Sequence, residues 1–251
     1  DYVGCTGMPG APVPIEQICP GFLQTSQRNR KVISFSAGHY LKDTLYYPNS
    51  WDFINTEMMY QEIYEHGTFF VAAAGNGNYN GIPSHYYAFP SSYDYVFSVS
   101  GVGWKNPRVG YTTNVSGSHE EIIGDTMKTF QHNSRVDLLA PAYDIGGLNS
   151  NNVTTEIPRS GTSLAAPLVA GTAGLILSLD SCYTPYQLEY ILKKTANSSI
   201  LTYPENLPFA GKLGSGSLNA GKALSTVNKN TSIPTLPGVV KTSCNDPLTT
   251  T

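Results

Sequence analysis

The sequence predicts an α/β fold, a doubly wound and mostly parallel sheet with helices on both faces. Two observations lead there. Short β-branched or aromatic runs such as "VISFS" and "TFFVAAA" alternate with segments of helical length. The runs are continuously apolar, as strands covered on both faces should be. A third observation sets the scale. With 251 residues, 40% of them hydrophobic and 13% charged, the chain can bury a sizeable core in one large domain or two small ones.

Taken in order, residues 1–31 hold five prolines or glycines before position 13, and Pro20-Gly21 is expected to break any long helix there. Residues 32–36 ("VISFS") predict a buried strand closed by Ala37-Gly38. Residues 49–67 predict an amphipathic helix with Ile54, Met58, Met59 and Ile63 on one face and Gly67 as its stop. Residues 68–74 predict a second buried strand, ending at Gly75-Asn76-Gly77, and residues 95–103, 108–113 and 136–140 predict further strands. The polar stretch 117–134 reads as a surface insertion between strands. Residues 163–179 predict a helix apolar nearly all round and therefore fully buried. Gly171 and Gly174 each cost that helix about 1 kcal/mol against alanine, so close packing is expected at both. Residues 184–196 predict another helix, with Thr184 as cap, Pro185 in the first turn and Gln187 completing a capping box. Residues 228–251, rich in Thr, Pro and Asn and without period, read as a linker or tail.

A net charge of −3 points to no nucleic acid and no acidic membrane as partner. No run of 18 apolar residues is present, so no membrane span is expected. The chain opens on Asp1, as expected of a processed or truncated polypeptide. Cys5, Cys19, Cys182 and Cys244 form no CxxC pair, which argues against zinc. They allow three disulfide pairings, of which Cys5–Cys19 with Cys182–Cys244 is the most local; four free thiols are the alternative. Glu120, Glu121 and Asp125 read as a solvated loop rather than a cation site.

The stretch that carries chemistry is "RSGTSLAAPLVAG", residues 159–171. Ser163 stands at a helix start, where free N–H groups and the positive dipole end favour an anionic intermediate. Such a position suits an acyl-transfer nucleophile, and it also suits an ordinary helix cap. In "VAAAGNGN" (71–78), Asn76 lies just past a strand end, where its amide could donate to an oxyanion. The alternative there is a plain Asn-Gly turn.

Together these stretches resemble the subtilisin-like (S8 family) serine proteases. "SGTSLAAPLVAG" is similar to that family's serine motif, "VAAAGN" to its oxyanion-asparagine strand and "VISFSAG" to its substrate-binding strand. "FPSSYDYVFSVSGVG", "RVDLLAPAYDI" and "GSGSLNAGKAL" resemble three further family segments in the right order, so residues 32–227 look like a partial peptidase domain. The resemblance implies a serine endopeptidase with Ser163 as nucleophile and Asn76 with the Ser163 N–H as oxyanion hole. Ser36-Ala37-Gly38 and Ala73-Ala74-Gly75 would wall a cleft that binds extended polypeptide by strand addition. It implies a cis bond at Phe89-Pro90 beneath the specificity pocket, and an extracellular, secreted setting. No cofactor is required; calcium, common in the family, is not traceable to residues of this chain. Leu164 and Leu168 replace the family's usual Met and His within the serine motif, changes that bear on packing.

The family places its catalytic Asp and His before the substrate-binding strand. Here neither of those motifs occurs in residues 1–31, and no histidine precedes His39. His39, His66, His85, His119 and His132 each read as wall or surface residues rather than the base. Without a base a serine hydroxyl is a weak nucleophile. The favoured expectation is a fragment of a longer protease, inactive alone, whose missing N-terminal segment supplies the base and covers the serine helix. A pseudoprotease that binds extended peptides is the alternative. An unrelated serine esterase is the third, because Gly161-Thr-Ser163-Leu-Ala165 nearly matches G-x-S-x-G.

Overall fold

The computed structural model describes residues 15–41, 51–77, 82–104, 120–121, 130–143, 145–147, 159–228, 233–235, 239–240 and 249–250. Its centre is a parallel sheet. Strand β1 (Val32–Phe35) pairs with β3 (Phe69–Ala73), β3 with β5 (Phe97–Trp104), and β5 with β7 (Leu138–Pro141), all parallel. A two-residue strand, β6 (Glu120–Glu121), adds antiparallel to the end of β5. A separate antiparallel ribbon joins β2 (His39–Leu41) to β4 (Tyr87–Phe89).

Helices cover both faces, as the continuous apolar strands require. Side chains alternate along each strand. Phe69, Val71 and Ala73 of β3 face one core with Val99, Leu138 and Ala140. Against it lie α3 (Thr162–Leu179), α4 (Pro185–Thr195) and α5 (Ala220–Asn228). Phe70 and Ala72 face the other way, into a cluster with Ile33, Val96 and the residues Tyr60 and Ile63 of α2 (Trp51–Glu65). A third cluster gathers Ala74, Val102, Leu139, Ile200 and Leu213. Each buried aliphatic or aromatic side chain in these clusters contributes about 1.5–3 kcal/mol.

Several expectations are corrected. Helix α1 (Ile15–Gln27) runs through Pro20 instead of stopping there. Phe22 and Leu23 pack on the Ile33–Phe70 cluster, with Phe22 edge-on to both Phe35 and Phe70. That burial outweighs the local cost of the proline. In α2 the buried face is set by Tyr60 and Ile63, while Met58 is 60% exposed. The stretch read as a surface insertion ends inside the protein: Phe130, Gln131, His132 and Asn133 are all buried. The strand expected over 108–113 lies outside the described residues. The tail contributes a short antiparallel pair, β8 (Val239–Val240) with β9 (Thr249–Thr250).

Helix α3 is the largest departure. It is long and apolar enough to cross a membrane by length and composition, yet it packs on the sheet. Ala165, Ala166, Val169, Ala173 and Ile176 are fully buried. The other face is not: Leu168, Leu175 and Leu179 are 39%, 53% and 48% exposed. A Cβ at Gly171 or Gly174 would meet nothing within 4 Å, so neither glycine marks close packing. Helix α4 matches its expectation fully. The Thr184 hydroxyl accepts the Gln187 N–H, and the Gln187 side chain accepts the Thr184 N–H at 3.0 Å.

Candidate active site

The carboxyl ends of β1 and β3, the start of α3 and the β2–β4 ribbon converge on one cavity of about 50 Å³. Ser36, Ala37, Gly38, Ala73, Gly75, Asn76 and Ser163 all line it, so seven of the eight residues singled out in the sequence come together. Ala74 does not line it. Its side chain is buried in the third core cluster and its N–H donates to the Val99 carbonyl at 2.8 Å. Tyr40, Ala88 and Thr162 complete the lining. The Phe89-Pro90 bond is cis.

Asn76 is held by a short relay. Its Oδ1 accepts the Thr162 N–H at 2.8 Å and the Thr162 hydroxyl at 3.0 Å. The same hydroxyl accepts the Gly75 N–H at 3.1 Å. With Oδ1 occupied by two donors, the amide orientation is fixed. Nδ2 then has no hydrogen-bond partner among the described residues, and it lies beside Gly161. A Cβ at Gly161 would come within 3.2 Å of that nitrogen, tight enough that the amide would have to give way, and φ +157 there also favours glycine. Thr162 was not singled out from the sequence. Its signal was its place between Gly161 and Ser163.

The rest of the loop is clamped as firmly. The Asn76 N–H donates to the Tyr40 hydroxyl at 2.8 Å. Gln131 takes the Gly77 N–H on Oε1 at 2.6 Å, gives its own N–H to the Gly75 carbonyl at 2.9 Å, and reaches the Pro83 carbonyl through Nε2 at 3.0 Å. Next to it, His132 is buried against Phe209, with Nδ1 2.9 Å from the Phe130 carbonyl. Burial pushes its pKa down to about 4, partly offset by the Phe130 carbonyl and reinforced by Lys212 and His85.

Ser163 is partly exposed. Its hydroxyl donates to the Ser36 carbonyl at 3.3 Å, and the Ser36 hydroxyl donates to the Ser163 carbonyl at 3.1 Å. No imidazole reaches it among the described residues. His39 stacks on Phe89, His66 turns its Nδ1 to the Glu62 carbonyl, His85 is exposed beside Tyr86, and His132 is spent as above. His119 lies outside the described residues. Cys182 is disulfide-bonded.

A hydroxyl at a helix start, an oriented asparagine amide and a strand-edged cleft thus stand together at one end of the central sheet. The chain belongs to the subtilase family, whose model matches residues 15–229. It is 28% identical to Subtilisin DY of Bacillus licheniformis over 135 residues, 54% of this chain and 42% of that protein. It is 33% identical to the Halolysin-like extracellular serine protease Nep of Natrialba magadii over 113 residues, 45% of this chain and 16% of that one. Among solved structures, the Prenylagaramide maturation protease PagA superposes with a TM-score of 0.65 at 21% identity, covering 90% of this chain and 72% of that one. The chain spans less than half the length of the curated relatives it matches.

Proposed function

We propose that this chain carries the nucleophile and oxyanion half of a serine endopeptidase, and that the histidine base comes from a polypeptide segment outside these 251 residues. Ser163 attacks the scissile carbonyl. The oxyanion that forms is held by the Asn76 Nδ2 donor and the Ser163 N–H. Substrate polypeptide enters extended between Ser36-Ala37-Gly38 and the backbone of Ala73-Ala74-Gly75. The observation that carries this reading is the Thr162 relay, which fixes Asn76 so that its amide N–H₂ lies beside Gly161, without a partner among the described residues, in the cavity that Ser163 also lines. The Ser163 hydroxyl, bonded among the described residues only to a backbone carbonyl, supports the view that this half is inactive by itself. The Cys182 disulfide and the extracellular relative both favour a secreted setting.

The test is a fluorophosphonate probe applied to the 251-residue chain and to a longer polypeptide that contains it. Labelling of Ser163 only in the longer form, lost in Ser163→Ala, is the expected result. Strong labelling of the short chain would overturn the split between nucleophile and base. Labelling of neither form, with peptide binding intact, would favour a binding protein that does not cleave.

A further inference from the structure

The cavity beside Ser163 is small because an aromatic ring already stands in it. In the β2–β4 ribbon, Tyr40 is registered opposite Ala88, so both side chains fall on the same face. That face is the cavity, which both residues line. The Tyr40 ring lies directly over the backbone of Gly75: a Cβ there would come within 2.6 Å of Cε1 and 2.9 Å of the hydroxyl. Gly75 has φ +110, a conformation that itself favours glycine. The ring is pinned at its far end, because its hydroxyl accepts the Asn76 N–H at 2.8 Å. Gly38, on the facing edge, packs on the backbone of Phe89, where a Cβ would run into the carbonyl oxygen. About 50 Å³ remains. Roughly 10–15 Å³ of such space holds one water-sized group, so the remainder fits a few heavy atoms and not an aromatic ring.

The position of this cavity gives it a role. On the endopeptidase reading, a scissile carbonyl held at Ser163 brings the side chain of its own residue to this cavity, between the Ser36–Gly38 and Ala73–Gly75 edges that line it. We infer that Tyr40 sets the size limit there, and that the peptide bonds cleaved follow a small residue: glycine, alanine or serine. This rests on the endopeptidase reading above. Tyr40 thereby does two things at once. Its ring excludes large side chains, and its hydroxyl steadies the loop that carries the oxyanion donor.

The test uses the longer polypeptide and a peptide series varied at the residue before the scissile bond. Wild type is expected to favour Ala over Phe by on the order of 100-fold in kcat/KM. Tyr40→Ala should reverse or abolish that ratio. Tyr40→Phe should keep the ratio while lowering turnover on every peptide, because the ring stays and the Asn76 contact goes. A wild-type preference for Phe or Leu, or a ratio unmoved in Tyr40→Ala, would overturn the proposal and leave the endopeptidase reading standing. If no peptide is cleaved and Ser163 does not react with the probe, the endopeptidase reading fails and binding decides the pocket. Peptides ending in Ala or Phe are then titrated into the 251-residue chain by calorimetry. Tighter binding of Ala supports the size limit; equal or tighter binding of Phe, or binding of neither, removes it.

Discussion

The two faces of helix α3 are made of the same kinds of residue and live in opposite surroundings. Toward the sheet, Ala165, Ala166, Val169, Ala173 and Ile176 are sealed. Away from it, Leu168, Leu175, Leu179 and two glycines look outward. The first turn repeats the contrast in polar form. Thr162 is buried and makes three hydrogen bonds that tie Asn76 to Gly75, whereas the Ser163 hydroxyl beside it makes, among the described residues, one long contact to a carbonyl. The difference teaches that hydrophobicity alone does not mark burial. What buries a helix face is an opposing surface, and only one face has one among the described residues.

Neighbouring substitutions on α3 give the strongest test of that contrast. Ile176→Ala should cost about 2–5 kcal/mol in urea unfolding, since a sealed site loses its methyl groups and keeps the hole. Asn76→Ala in the catalytically complete polypeptide should lower kcat by about 10²–10³-fold with little change in fold. That magnitude is the one known for the oxyanion-hole asparagine of subtilisin and is carried over from it. A smaller loss would mean that Asn76 is held for structure and not for an oxyanion.

Acid should act through His132, buried against Phe209. Its pKa is lowered to about 4 from 6.5, so between those values the unfolded chain binds a proton that the folded chain does not. Stability therefore falls as pH drops from about 6.5 to 4, by on the order of 3 kcal/mol. Urea titrations at pH 7 and pH 4.5 should show the loss, and His132→Gln should flatten it. Thr162→Val should cost about 1–3 kcal/mol, because the Gly75 N–H loses its acceptor in a half-buried site. The oxyanion effect should follow, with kcat falling more than KM rises. Leu175→Ala, one residue from Ile176, should shift stability by less than about 0.5 kcal/mol. A loss as large as that at Ile176 would show that the outer face is covered in solution.

Much of this was legible in the sequence. The strands β1, β3, β5 and β7 and the capping box of α4 were local patterns, and the serine and asparagine stretches placed Ser163 and Asn76 at one cleft. What was hidden depended on distant partners. Pro20 sits inside α1 because Phe22 and Leu23 find Phe35 and Phe70, which no local rule anticipates. Gln131 and His132 looked like parts of a polar insertion; Gln131 is buried where the Gly75–Gly77 loop needs hydrogen bonds, and His132 against Phe209. Tyr40 gave no periodic signal, since a three-residue ribbon is too short to show one.

The parallel sheet has a kinetic consequence. Its ladders join Val32 to Phe69, Val71 to Phe97 and Val99 to Leu138, each across a long intervening stretch. No neighbouring pair of these strands can zip from a tight turn, so loop-closure entropy is lost before any pairing returns it. Chains of such high contact order reach their native state slowly, on the scale of milliseconds to seconds or longer. During that interval the apolar strands are open to one another's edges and to other chains. For this polypeptide, the yield of folded protein should depend on concentration and on how quickly the first parallel pair is captured.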